Sequence, residues 1–420
     1  MGAVGVSNQR ETVAAWNRET GEPVCRAIVW QCARGPAVCE RVEKTGAAEK
    51  IRKTTGLTLS PYFSASKMGW IMENVPEARR LAAEGKLCLG TMDSFLVYSL
   101  TQEKSFASDF SNASRTQLFD IHQLQWNDEI CALFGINTQS LPEVEDSNSC
   151  FGHTDFGGVL PEKVPLLGVM GDSQSALFGQ GCWQAGTAKT TYGTGSSIML
   201  NIGSNYLESK KGLVTSLAWG QSGRVEYVLE GNINYTGAVI TWLQKDLGLI
   251  RDACDSAELA QHANPEDKTY LVPAFSGLGA PYWHSQATGL FTGMTRLTGR
   301  AEMVKAGLES IAYQIADVVF LMQEEYGRKL TMLRADGGPT ANRYLMQLQS
   351  DLIHIPVAVP RASELSGLGA AYMAGITVGM YDRESLLSVN EVQLYHPIMN
   401  EEQRQKKLSG WRKAVSQALV

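Results

Sequence analysis

The stretch GDSQSALFGQGCWQAGTAKTTYGTGSS, Gly171 to Ser197, decides the fold. Just before it runs VPLLGVM (164–170), a continuous apolar segment of the kind that forms a strand covered on both faces. That run ends at one acid, Asp172, and DSQSALFGQ reads as a helix start. Next comes AKTTYGTGSSIMLNI (188–202), which reads as two strands around a tight glycine turn. Strand, acid, helix and glycine turn in that order are the grammar of a mixed α/β chain.

Working outward, the same grammar recurs. Upstream, AVGVS reads as a short buried strand, NQRE as a turn and TVAAWN as a second strand. ETGEP is a turn, and VCRAIVW (24–30) a third strand. Residues 36–56 and 66–85 read as helices, and CLGTMDSFLVYSLT as a strand or turn and then a helix. Downstream, VEYVLEGNINYTGAVITWLQKDL gives a strand and a helix. AEMVKAGLESIAYQIADVVFLMQEEYG is the clearest helix, with Val304, Leu308, Ile311, Ile315, Val318 and Met322 marking one buried face. TMLRADGGPTANRYLMQLQSDLI gives strand, glycine turn and helix. GLGAAYMAGITVG closes the series as a helix of small residues, which should pack tightly on a sheet. A chain of 420 residues exceeds one ordinary core, so two domains are expected, 1–182 and 183–420.

Composition narrows the class. A net charge of −6 leaves no basic footprint for nucleic acid. The eight cysteines form no C-x-x-C pair, which argues against zinc ribbons and dithiol centres and for buried thiols in a reducing cytosol. MGAVGVSNQRE lacks the basic start of a secretory signal, and the longest charge-free apolar stretch, GLGAAYMAGITVGMY, is too short for a bilayer. The expected setting is cytoplasmic, without membrane contact.

Three features could carry chemistry. YGTGSS (192–197) and DGGPTANR (336–343) both follow apparent strands, and glycine turns there can aim backbone N–H groups at phosphate. Asn342 stands where a short amide could reach an adenine edge or ribose. No G-x-x-x-x-G-K-[ST] is present, so this is not a P-loop chain. Asp172, held at a strand mouth, could take a proton from a substrate hydroxyl during phosphoryl transfer; the competing reading is a helix N-cap. Arg10 and Glu11, a donor beside an acceptor, could grip the hydroxyls of a diol, with Trp30 walling its carbon side; loop charges and core packing are the competing readings.

NQRET, AIVWQC, LSPYFSASKMGWIMENV, SNASRTQLF, GDSQSALFGQ, YGTGSS, PAFSGLGAPYW and DGGPTANRYLMQ occur in one order along nearly the whole chain. Taken together they resemble the FGGY carbohydrate kinases, and among them the glycerol-phosphorylating branch. The resemblance implies two actin/hexokinase-like (ribonuclease H-like) α/β domains with a cleft between them. It implies ATP with Mg2+ on the second domain, a small polyol on the first, and glycerol 3-phosphate as product. Residue by residue it makes Asp172 the catalytic base and puts Arg10, Glu11 and Trp30 at the polyol. Thr194 and Gly195 approach the phosphates, and Gly237, Gly338 and Asn342 contact the nucleotide. No residue of this chain is assigned as a metal ligand. The family often forms homodimers or homotetramers, and no patch in the sequence selects one.

The departures from the family pattern are specific. Phe110 replaces a tyrosine, Ser173 a glutamine and Ser197 a phenylalanine, which enlarges the polyol site and changes its polarity. Thr241 replaces a glutamine near the nucleotide. A larger polyol or a ketose of the xylulose, ribulose or erythritol type is the alternative substrate. The family opens on a strand hairpin carrying D-x-G-T-[TS], and nothing before Val4 supplies it. The expectation is therefore an amino-terminally truncated first domain, with a catalytically impaired protein as the third reading.

Overall fold

In a computed structural model the chain is described over residues 2–101, 103–389 and 391–420. The first half opens with β1 (Val4–Asn8) and β2 (Val13–Asn17). Four helices follow: α1 (Pro36–Glu43), α2 (Ala48–Thr55), α3 (Ser64–Asn74) and α4 (Pro76–Ala83). Then come β3 (Leu87–Thr91), α5 (Met92–Leu100), β4 (His153–Thr154), β5 (Val164–Gly171) and α6 (Asp172–Gly179). The second half runs β6 (Ala188–Tyr192), β7 (Ser196–Gly203), β8 (Val214–Gln221), β9 (Arg224–Ile233) and α7 (Gly237–Lys245). It continues with α8 (Arg300–Tyr326), β10 (Leu333–Asp336), α9 (Arg343–Ile353) and β11 (Val357–Pro360). It ends with α10 (Leu365–Thr377), β12 (Val392–Tyr395) and α11 (Glu401–Ala418).

Three sheets organise these elements. β1 and β5 pair in parallel, Asn8 opposite Gly171, with β4 on the far side of β5. β2 pairs antiparallel with β3. The large sheet has seven strands in the order β8-β9-β7-β6-β10-β11-β12. Its main covering helix is α8, and the six residues expected to form one buried face are all buried. Ala312, Tyr313, Ala316 and Val319 are buried too, so α8 runs through the core rather than over it.

Four local expectations change. VCRAIVW is no strand: β2 already pairs with β3 on one edge, and on the other this segment and the preceding Pro23 meet it only at the isolated bridges Val13–Ile28 and Trp16–Pro23 and a Val24 N–H to Ala15 carbonyl bond. The helix expected over 36–56 is two, separated at Gly46, whose φ of 76° no helix accommodates. The helix expected over 66–85 is also two, because Pro76 starts a new one after an extended Val75. Of the eight free cysteines, Cys39, Cys88, Cys131 and Cys182 are buried, but Cys150 and Cys254 are exposed.

The small-residue helix α10 packs on helix α6 as well as on β1 and β5, and so ties the end of the second half to the strands of the first. The closeness has a steric cause. A Cβ on Gly369 would lie 1.8 Å from the Ser175 carbonyl oxygen, and one on Gly168 2.6 Å from that of Ala370. Ser366 Oγ donates to the Asp172 carbonyl at 3.1 Å, so α10 also buttresses the first turn of α6. Gly369→Ala should therefore destabilise the protein by about 1–3 kcal/mol, the usual range for overpacking. Urea unfolding checks this; an unchanged midpoint would mean that α10 slides freely on α6. Among the described residues, no helix is long and apolar enough to cross a membrane.

Candidate functional site

Strand β5 delivers its C-terminal end to Gly171, which caps α6, so Asp172 is the first helical residue rather than the cap. Its Oδ1 accepts from the Ser173 N–H at 2.6 Å and lies 3.3 Å from Arg10 Nε. The Asp172 side chain is 45% exposed, whereas its partners below are nearly inaccessible: Arg10 5%, Glu11 2% and Glu230 0%. Asp172 is thus the solvent-facing end of a buried charge network.

That network joins the two halves. Arg10 donates to both carboxylate oxygens of Glu230, at 3.0 and 2.9 Å, and to Gln174 Oε1 at 3.2 Å. Arg115 donates from Nε to Glu11 Oε1 at 2.7 Å and places Nη1 2.9 Å from Glu230 Oε2. Glu11 takes a φ of 59°, a left-handed conformation rare for a side chain of its size, which presents its carboxylate inward. Burial by itself would discharge Arg10, but Glu230, Glu11 and Asp172 outweigh it and hold the guanidinium charged. Burial likewise pushes Glu230 up, and Arg10 and Arg115 overcome this to keep it well below the usual carboxylate range.

The large sheet supplies the floor. Register partners share a face of a sheet. One row across it reads Asn232, Ser197, Thr191, Asp336, and the next Glu230, Met199, Lys189, Arg334. A covered sheet face is normally apolar, so this polar stripe is the clearest mark of a site. Ser197 Oγ donates to Glu230 at 3.2 Å. The opposite face is ordinary core, where Tyr192 is buried and hydrogen-bonds Gln349 on α9.

The glycine turns lie at the rim. Gly193–Gly195 is strapped to the start of α7: the Thr194 carbonyl accepts from Thr236 at 2.9 Å and Ala238 at 3.1 Å, and Gly193 from Gly237 at 2.9 Å. Thr194 is exposed and Gly195 half-buried; Thr241 is exposed too, and its hydroxyl donates to the Gly237 carbonyl at 3.2 Å. Gly337 has a φ of 96°, and a Cβ there would meet the Tyr192 carbonyl at 2.0 Å, while Gly338 faces open space. Next to it Asp336, Gly338, Thr340, Ser363 and Glu364 line an open cleft of about 1090 Å3, which is roomy enough for a nucleotide by ordinary pocket sizes.

Not every residue read from the sequence ends as pictured. Asn342 caps α9 through Leu345 N–H and donates to Ser256 Oγ at 3.2 Å, so both ends of its amide already have protein partners. Phe110 packs its ring on Phe119 and over Gly220. Trp30 is 38% exposed and sets its ring edge-on to Tyr62. Arg10, Glu11, Asp172 and Ser197 do converge. Sequence reasoning passed over Arg115, Gln174, Lys189, Glu230 and Asp336. One of these carried a signal, because Lys189 is the only charge in the strand AKTTY.

An Mg2+ ion carried by nucleotide phosphates takes only one or two protein carboxylates. Asp172 is accessible, and Asp336 is buried with Oδ1 lacking a hydrogen-bond partner among the described residues. No group of three or more His, Cys, Asp or Glu able to hold a metal by itself occurs among those residues.

Two packed α/β halves meeting over a charged cleft define a two-domain α/β protein of the kinase type. Comparison with known proteins agrees. The N-terminal domain of the FGGY family of carbohydrate kinases matches residues 1–179, and its C-terminal domain residues 188–378. A glycerol kinase of Alkaliphilus oremlandii is 45% identical over 426 residues, covering 100% of this chain and 84% of that protein. One from Vibrio cholerae is 46% identical over 417 residues, covering 99% and 83%. The crystal structure of Plasmodium falciparum glycerol kinase with ADP superposes with a TM-score of 0.93 at 36% identity, covering 100% of this chain and 84% of that one. A xylulose kinase from Lactobacillus acidophilus has the same fold, with a TM-score of 0.86 at 18% identity over 99% of this chain and 84% of its own. The chain belongs to the FGGY family of carbohydrate kinases.

Proposed function

We propose that the protein transfers the γ-phosphoryl group of ATP to a terminal hydroxyl of glycerol, giving glycerol 3-phosphate and ADP, with Asp172 as general base. The observation that carries this reading is the contrast at the strand mouth. Asp172 is accessible to a substrate hydroxyl, while the groups that orient it, Arg10 and behind it Glu230, are sealed beneath. A base needs both access and fixed geometry. The acceptor hydroxyls lie against Arg10 and Glu11, with Trp30 beside the carbon chain and Phe110, Ser173 and Ser197 around it. The nucleotide occupies the cleft of the second half, phosphates towards Thr194, Gly195 and Gly237 and the nucleoside towards Thr241, Gly338 and Asn342. Asp172 or Asp336 would hold Mg2+ carried by the nucleotide phosphates, and the ion would supply positive charge to the oxygens that gain negative charge. The domains divide between residues 182 and 183, and the setting is the cytoplasm.

A second acceptor class has one observation in its favour. Ser173 and Ser197 are small and only half-buried beside Arg10 and Glu230, which leaves room for a longer polyol or a ketose. An ATP-consumption panel with glycerol, erythritol, xylulose and ribulose decides between them. Glycerol should give the highest kcat/KM, since a site matched to hydroxyls rejects ill-matched acceptors by about 10⁴-fold or more. A ketose or tetritol at the head of the panel would replace glycerol as substrate, and no turnover with any acceptor would refute the kinase reading.

A further inference from the structure

Of the four buried cations among the described residues, Lys67 donates to the Tyr62 and Phe63 carbonyls, and the other three, Arg10, Arg115 and Lys189, surround the floor of the cleft. Arg10 is held by Glu230, and Arg115 by Glu11 and Glu230, each within 3.0 Å. Lys189 differs. It is wholly inaccessible, yet among the described residues no carboxylate lies within ion-pair distance of its amine, which donates to Thr191 Oγ1 at 2.8 Å. Burying an unpaired charge is costly, so such a group calls for an explanation beyond packing.

Its placement offers one. Lys189 and Thr191 alternate onto the same face of β6, so the side chain runs along the strand towards the Gly193–Gly195 turn. In register beside Thr191 stand Ser197 on one side and Asp336 on the other. The amine feels Asp336 from the nucleotide side and Arg10, Glu230 and Asp172 from the acceptor side. It therefore lies between the two places that a moving phosphoryl group must connect. An ammonium has three donors, and the Thr191 hydroxyl takes one. Burial lowers its affinity for the proton, partly offset by Asp336 and Glu230, so added negative charge nearby would favour the charged form.

We propose that Lys189 is a positioning residue for the reaction: its buried ammonium fixes the half-buried Thr191 hydroxyl and holds positive charge beneath the phosphoryl group as it passes from ATP to the acceptor. The inference rests on the kinase reading above. In the step, the acceptor oxygen forms a bond to the γ-phosphorus while the bond from the β–γ bridging oxygen breaks. The hydroxyl proton goes to Asp172 and ADP leaves; Lys189 exchanges no proton. Its contribution is charge stabilisation at the oxygens, which is greatest in the transition state.

The test compares Lys189→Met and Lys189→Arg with wild type, using the best acceptor from the panel. Lys189→Met should lower kcat by about 10²-fold, because the fixed charge beneath the phosphoryl group and the orientation of the Thr191 hydroxyl are lost together. Both KM values and ADP affinity should stay within about threefold, because uniform binding is untouched. Calorimetry should show that aluminium fluoride plus acceptor tightens ADP binding to wild type and not to Lys189→Met, while Lys189→Arg keeps part of that tightening. A Met variant with kcat within fivefold of wild type, or with the fluoride-dependent tightening intact, overturns the proposal. Should Lys189→Met not fold, 15N-lysine spectra decide: the ammonium signal absent from Lys189→Arg must shift between ADP and ADP with aluminium fluoride, and a stationary signal overturns it. A wild type silent on every acceptor overturns the kinase reading and this proposal with it, whereas an active wild type matched by Lys189→Met overturns this proposal alone.

Discussion

Asp172→Asn is expected to abolish measurable transfer, lowering kcat by about 10²- to 10⁴-fold, the range for loss of a general base. The substitution is nearly isosteric. The amide oxygen can still accept from the Ser173 N–H and face Arg10 Nε, so the first turn of α6 should stand as it is. What asparagine cannot do is take the hydroxyl proton. ADP affinity, read by calorimetry, should change by less than about threefold, because the glycine turns at Thr194 and Gly338 lie on other elements. The pair of readings separates a chemical role from a structural one. Full turnover by Asp172→Asn would remove the residue from the mechanism, and loss of ADP binding in step with kcat would point to a disturbed cleft instead.

Glu230→Ala should have the largest effect on stability. Its carboxylate is the counterion that two buried arginines share across the two halves. Removing one partner of a buried pair costs about 3–5 kcal/mol, since the opposite charge is left uncompensated. Here two charges are left so, which sets the expectation at the upper end, with a raised KM for the acceptor as Arg10 loses its orientation. The pH dependence has a definite sign. The folded state holds Glu230 well below the normal carboxylate range, so the unfolded chain binds that proton more readily. Its contribution is complete above the unfolded pKa of about 4.3 and is lost as the pH falls below that towards the folded value. The stability gap between wild type and Glu230→Ala, measured in urea, should be constant from pH 7 to 5 and begin to narrow near pH 4. A gap below 1 kcal/mol at pH 7 would show that Arg10 and Arg115 find other partners or water.

Much of the architecture could be read from local pattern. VPLLGVM had to be a covered strand, and the 300–326 helix announced itself by apolar spacing, because both signals come from residues near in sequence. The mistakes are of the same origin. VCRAIVW has strand composition, but β2 gives its regular edge to β3, which is distant in sequence. The helices over 36–55 and 64–83 break where Gly46 and Pro76 impose backbone conformations that periodicity does not weigh.

The sequence by itself determined the α/β class, the two-part plan, the acid at the end of a buried strand and the glycine turns. Each follows from nearest-neighbour sterics or from hydrophobic periodicity within one element. Only the tertiary structure decided which charges meet. Arg10 reaches Glu230 across 220 positions of chain, and Arg115 reaches Glu11 across 104. Whether such a charge lies on a surface or beneath a cleft depends on what packs above it, and no local pattern encodes that. The same holds for Lys189, whose neighbours Asp336 and Asp172 arrive from other elements through sheet register and the docking of α6. Close packing of two halves, not the residue types alone, turned scattered charges into one site.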